Sequence, residues 1–243
     1  MNQHTYTQQF FDLNFAPYKN LVENISVTDQ LHTTRVPICP IDIDKDILQK
    51  IYNYLCIIDH KFIPNPHHSR HKHDWADPAR SYNWDQIVVR QRTTAYKLHI
   101  PTENNTFEIG NEILGDVYLE QLVDQLLAPL GVKFYTIKIT KLGPHGWVSP
   151  HMDAVAKDLG LGYAWIPLHE FPTCLKIFPW GWLQHQFGKM YLFNHSRYVH
   201  AVHNPVGKSR LVILCSFDTE AVSSTILDQY FKSKTTFKNL FAD

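Results

Sequence analysis

Apolar positions repeat with two different periods along the chain. In the first half, DKDILQKIYNYLCII (44–58) places them at helical spacing behind an aspartate able to cap the first turn. VYLEQLVDQLLAPL (117–130) shows the same period more strongly, and Pro129 and Gly131 end it. Between them lies NPHHSRHKHDWADPARSYN, a loop-like stretch rich in Pro, His and Asp, followed by IVVRQRTTAYKLHI (87–100), whose β-branched and aromatic content predicts a strand or hairpin. The second half changes period. KFYTIKITKL alternates apolar and polar residues, and short apolar runs follow in LGYAWIP, TCLKIFP, KMYLF, YVHAV and RLVILCSF, punctuated by Gly, Pro or Asn. Many short strands with turns between them predict a mainly β sandwich or barrel such as a jelly roll, with helices flanking it on the N-terminal side. The tail TEAVSSTILDQYFKS predicts a closing C-terminal helix. With no internal repeat, low-complexity tract or linker, one domain is expected.

Charge narrows the partners. Lys plus Arg equals Asp plus Glu at 23 each among 243 residues, so no net basic surplus exists to draw in a nucleic-acid backbone or an acidic membrane. The opening MNQHTYTQQFFDLNFAPYKN lacks the basic start and apolar run of a secretory signal, and no segment has the apolar length of a membrane span, so a cytoplasmic protein is expected. Cys39, Cys56, Cys174 and Cys215 form no CxxC pair, which suggests neither a zinc ribbon nor a disulfide framework. The sequons at Asn24, Asn104 and Asn194 carry no meaning without a secretory route.

The candidate chemistry starts at HGWVSPHMDAV (145–155). If HMD ends a strand, His151 and Asp153 project to one face and can share a metal, with Met152 pointing away. Imidazole plus one carboxylate suits iron(II) when a second histidine completes a facial set and leaves positions open. HxD alone is weak in a chain with fifteen histidines, whose bland reading is a set of hydrogen-bonded loop residues. YVHAVHNPVGKSRLVILCSFD (198–218) supplies the complement: it reads as strand, turn and strand, so that His200 and Arg210 lie on neighbouring antiparallel strands. A guanidinium there can grip the distal carboxylate of a metal-chelating 2-oxo acid with two charge-assisted hydrogen bonds. His203 falls on the opposite strand face from His200, His195 sits among turn residues, and His145 reads as structural.

KLGPHGWVSPHMD, CLKIF, GKMYLFNHSRYVHAV and the Arg ten residues after His200 together resemble the aspartyl/asparaginyl β-hydroxylase branch of the iron(II)- and 2-oxoglutarate-dependent oxygenases, to which bacterial proline hydroxylases are also similar. The resemblance spans roughly residues 133–218. It implies a double-stranded β-helix, cupin-like in architecture, with Fe(II) held by His151, Asp153 and His200 and the cosubstrate 2-oxoglutarate anchored by Arg210. On that basis the chain divides into a flank with supporting strands (1–130), a metal-binding β-core (131–218) and a C-terminal helix (219–243) of one oxygenase domain. Molecular oxygen and an amino acid, peptide or protein are the implied partners, with hydroxylation of an aspartyl, asparaginyl or prolyl side chain and release of succinate and carbon dioxide.

One departure stands out. Where relatives can place further cosubstrate contacts after HxD, this chain has the apolar GLGYAWIP, leaving Lys176, Thr173, Ser149 and His145 as candidate second anchors. Surface Lys and turn Thr are their plainer readings. Trp147, Tyr163, Trp165, Trp180 and Trp182 are pocket-wall candidates, although aromatics in short strands more often pack a core. Arg90 and Arg92 can meet a substrate carboxylate or line a solvated face, and the histidine-rich 67–80 stretch is a lid or an exposed loop. Two other classes compete: a cupin-type metalloenzyme using no 2-oxo acid, which gives Arg210 no task, and a non-catalytic barrel, against which the complete ligand set counts.

Overall fold

The computed structural model describes residues 39–64, 81–90, 116–131, 134–151, 161–170, 175–178, 181–184, 186–193 and 200–218. The expected C-terminal helix, the 67–80 stretch, Arg92, Asp153, Thr173, Trp180 and His195 lie outside these residues, as do the side chains of Tyr163 and Trp182.

Among the described residues, ten strands form one antiparallel sheet, mainly β as the alternating second half predicts. They are β1 (Cys39–Asp42), β2 (Ile63–Pro64), β3 (Ser81–Arg90), β4 (Phe134–His151), β5 (Leu161–Pro167), β6 (Leu175–Phe178), β7 (Gly181–Gln184), β8 (Lys189–Phe193), β9 (His200–His203) and β10 (Arg210–Asp218). The order is β1-β8-β5-β10-β4-β9-β6-β7, with β3 also pairing β4. β4 is the pivot. Its first part, Phe134 to Leu142, pairs with β10, whereas Trp147 to His151 pairs with β9. The path therefore folds into two four-stranded sheets that share β4: β8-β5-β10-β4 and β4-β9-β6-β7. That alternation of strands between two facing sheets is a double-stranded β-helix, or jelly roll.

The bend in β4 has identifiable causes. Asn83 and His145 both adopt positive φ, at 54° and 55°, which bulky residues tolerate poorly. The Asn83 side chain lies where a Cβ on Gly143 would sit, so only glycine permits this approach, and Asn83 Nδ2 donates to the Pro144 carbonyl at 2.9 Å. From the β9–β10 turn the buried Asn204 amide donates to the carbonyls of Leu142 (3.1 Å), Gly143 (2.8 Å) and Lys208 (2.8 Å).

Helices α1 (Lys45–Ile57) and α2 (Val117–Leu127) match the expected spans, and both are capped by aspartate. Asp44 accepts from the Asp46 and Ile47 amides, and Asp116 from Leu119. A 3-10 turn, Ala128–Leu130, ends at Gly131 with φ 61°. Leu48, Ile51 and Leu55 of α1, with Leu119, Val123 and Leu126 of α2, pack on Ile137, Ile139, Ile166, Ile213 and Cys215 of the first sheet. Each fully buried aliphatic side chain contributes roughly 1.5–3 kcal/mol. Strand alternation then decides everything else: the residues between those positions, Thr140, Trp165 and Leu214 among them, face the other way, into the space between the sheets.

One boundary and three short strands differ from expectation. β3 begins at Ser81, inside the stretch read as loop, because its first residues pair with Val148 and Trp147 of the bent half of β4. β1, β2 and β7 are short edge elements, too brief for periodicity to reveal.

Candidate active site

The site is built where β4 meets β9. Trp147 pairs with His203 and Val148 with Val202, and then the register slips so that His151, rather than Pro150, stands opposite His200. This single-residue bulge matters because Pro150 has neither an amide proton nor a ligand atom to offer. It brings the His151 and His200 rings to 4.3 Å between centroids, tilted by 51°. His151 Nδ1 lies 2.7 Å from the Ser149 carbonyl. A carbonyl only accepts, so Nδ1 carries a proton, which in the neutral ring leaves the lone pair on Nε2, the tautomer a metal ligand needs. His200 is 3% exposed.

Both histidines line a cavity of about 100 Å³ between the two sheets, together with Arg210, Lys176, Thr140, Trp84, Leu142, Val148, Val202 and Leu214. Arg210 enters from the start of β10, in register with Leu142, and is 7% exposed. Lys176 enters from β6 of the opposite sheet and is 4% exposed. Its Nζ lies over the Trp165 ring, 4.5 Å from the centroid, and Trp165 in turn stacks on Tyr191 at 5.1 Å. Burial pushes the Tyr191 phenol up to about 12, against the pull of a hydrogen bond from the Gln186 amide. The cavity thus presents two cationic side chains and two imidazoles, and among the described residues no carboxylate lines it. Charge of that sign in a mostly apolar enclosure favours an anion.

Three of the four sequence-derived site residues, His151, His200 and Arg210, are brought together here, and Asp153 lies two positions beyond the last described residue of β4. The chemistry of the donor set fits a divalent metal: two imidazoles converge, one with its tautomer set by a backbone carbonyl. His203 and His145 are absent from the described lining, as strand alternation predicts for His203. Burial and the neighbouring His145 hold the fully buried His203 near pKa 3, so it is neutral.

Among the described candidate second anchors, Lys176 alone lines the cavity. The Ser149 contribution is its carbonyl. Arg90, read as a possible substrate contact, instead turns outward to α2, where its guanidinium donates to Glu120 and Asp124 at 2.8–2.9 Å. Trp147 is buried against Tyr82, with centroids 6.5 Å apart, and Trp165 supports Lys176 instead of lining the cavity. Trp84, which sequence reading passed over, does line it. The bulge between Tyr82 and Trp84 turns it inward, and nothing in the local pattern marks that bulge.

No family model and no curated protein matches the chain. Solved structures that are similar to it include a prolyl-4-hydroxylase of Pseudomonas putida, 14% identical over 76% of this chain and 95% of that one, with a TM-score of 0.44. A prolyl hydroxylase from Trichoplax adhaerens, solved with a hypoxia inducible factor oxygen degradation domain peptide fragment, is 12% identical over 90% and 96%, TM-score 0.46. An oxidoreductase of the 2OG-Fe(II) oxygenase family from Burkholderia pseudomallei is 13% identical over 82% and 93%, TM-score 0.41.

Proposed function

We propose that the protein is an iron(II)- and 2-oxoglutarate-dependent dioxygenase that hydroxylates an amino-acid side chain, free or within a peptide or protein. The observation that carries this reading is the shared cavity: two convergent imidazoles and two buried cations, drawn from four strands, enclose a space of small-molecule size.

His151, His200 and Asp153 would hold the metal, which when bound supplies the oxygen chemistry that side chains lack. Arg210 grips the distal carboxylate of 2-oxoglutarate, and Lys176, reaching from the facing sheet, is the second contact to the same group. Leu142, Val148, Val202 and Leu214 keep that salt contact dry, which strengthens it. In the net reaction one atom of dioxygen enters the substrate C–H bond as hydroxyl and the other enters succinate, as 2-oxoglutarate loses carbon dioxide. No side-chain base is required. By resemblance, aspartyl, asparaginyl and prolyl side chains are the substrate class.

The test is succinate formation from 2-oxoglutarate with iron(II) and oxygen, followed by a mass screen of amino acids and peptides. His151→Ala and Asp153→Ala are each expected to abolish turnover, and retained turnover in both removes the site assignment. Calorimetry of the manganese-loaded protein addresses the cupin alternative: no 2-oxoglutarate binding, with Arg210→Ala changing nothing, would sink the oxygenase reading.

A further inference from the structure

The strand that delivers Arg210 is not fully backed by its neighbour. β5 ends at Pro167, opposite Val212, so the first two residues of β10, Arg210 and Leu211, overrun it. Two bonds continue the ladder past that end: Leu168 N donates to the Leu211 carbonyl at 3.1 Å, and Leu211 N donates to His169 Nε2 at 3.2 Å. An imidazole nitrogen here stands where a β5 carbonyl would otherwise accept. Because Nε2 accepts, the proton sits on Nδ1, which faces the Glu170 carbonyl at 3.3 Å. The imidazole is therefore neutral, and a second proton would leave the Leu211 amide without this acceptor and set a positive charge beside Arg210.

We propose that His169 is a positioning residue for the anion site: its neutral imidazole completes the β5–β10 ladder and so fixes the reach of Arg210 into the cavity, making anion affinity sensitive to mild acid. The inference rests on the reading above that Arg210 holds the cosubstrate carboxylate.

The surroundings favour the neutral form. Burial lowers the His169 pKa, the Glu170 carbonyl opposes that, and the Arg210 charge lowers it further. Among the described residues, the groups that face the imidazole are Arg210 from β10, Tyr52 from α1, whose ring centroid is 5.3 Å away, and Glu170 from its own loop through the backbone carbonyl.

The experiment is calorimetric titration of the manganese-loaded protein with 2-oxoglutarate between pH 7.5 and 5.5, on wild type, His169→Gln, His169→Ala and Arg210→Ala. Gln places a non-titrating carbonyl where Nε2 was. It is expected to bind like wild type at pH 7.5 and to lose less affinity than wild type at pH 5.5, by up to about tenfold, the ceiling for one proton over one pH unit. His169→Ala is expected to bind about two- to tenfold more weakly at pH 7.5, the worth of one hydrogen bond, while kcat at saturating 2-oxoglutarate is kept. Parallel pH profiles for wild type and Gln, or wild-type affinity in Ala, overturn the role of His169. If Arg210→Ala binds as wild type does, it is the anchor reading that fails, and the inference falls with it. If Ala does not fold, the comparison of Gln with wild type still decides.

Discussion

His203 makes acid stability calculable. It is fully buried on β9, in register with Trp147 on one side and Leu175 on the other, and held near pKa 3 by burial and His145. In the unfolded chain the same imidazole titrates near 6.5. The folded value lies below the unfolded one, so the unfolded state binds the proton first. The stabilisation is complete above about pH 6.5 and is lost as pH falls toward 3. Each unit in that window costs about 1.4 kcal/mol, so pH 5 removes about 2 kcal/mol, a large share of a typical domain stability of about 5–15 kcal/mol. Urea unfolding of the chelator-treated protein at pH 7.5 and 5.0 measures the loss from the shift in midpoint at constant slope. His203→Leu and His203→Asn, neither of which titrates, should each lose about 2 kcal/mol less than wild type between the two pH values, whatever their stability at pH 7.5. His169 contributes with the same sign but equally to all three proteins. Equal losses in wild type and both variants would refute the assignment of a neutral, buried His203.

Three other perturbations follow from the packing. Asn204→Asp turns the amide donors that hold Leu142 and Gly143 into acceptors facing carbonyls; about 1–3 kcal/mol is expected to be lost, seen by calorimetry as a thermal midpoint lower by about 2–12 °C. Arg90→Ala breaks a half-exposed ion-pair cluster with Glu120 and Asp124 and should cost under about 1 kcal/mol in urea unfolding, with 2-oxoglutarate turnover unchanged. Leu55→Ala removes a fully buried side chain where α1 meets the first sheet, and a loss of about 2–5 kcal/mol is expected by the same measurement.

The amino-acid pattern carried the helices and most strands because each has one buried face: a period near 3.6 on α1 and α2, and a period of 2 where Ile137, Ile139, Ile213 and Cys215 meet them. It also brought His151, His200 and Arg210 to one cavity, since a turn between antiparallel strands fixes which residues can share a face. What it could not carry are features set by partners remote in sequence. Whether Lys176 faces inward is decided by the pairing of a four-residue strand, too short for alternation to be read. The bulges that turn His151 and Trp84 inward depend on β4 meeting β9 and β3, and no local residue announces them. Arg90 looked available because its two carboxylate partners lie on α2, some thirty positions downstream.

The sharing of β4 between both sheets has a consequence for how the molecule assembles. β4 has partners on both flanks, yet β9 and β10 follow it by many residues, and β10 is the last described strand to be synthesised. Until β10 emerges, β4 can pair with β3 and then β9, but the first sheet has a gap at its centre. Closing that gap joins distant segments, the kind of contact that slows folding and leaves strand edges open to wrong partners in the meantime. The residue that begins β10 is Arg210, so the step that seals the sheet also delivers this guanidinium to the cavity. A chain halted before that point would leave the ribosome with its histidines but not its guanidinium, and a ligand for the finished cavity would act as a late folding template rather than an early one.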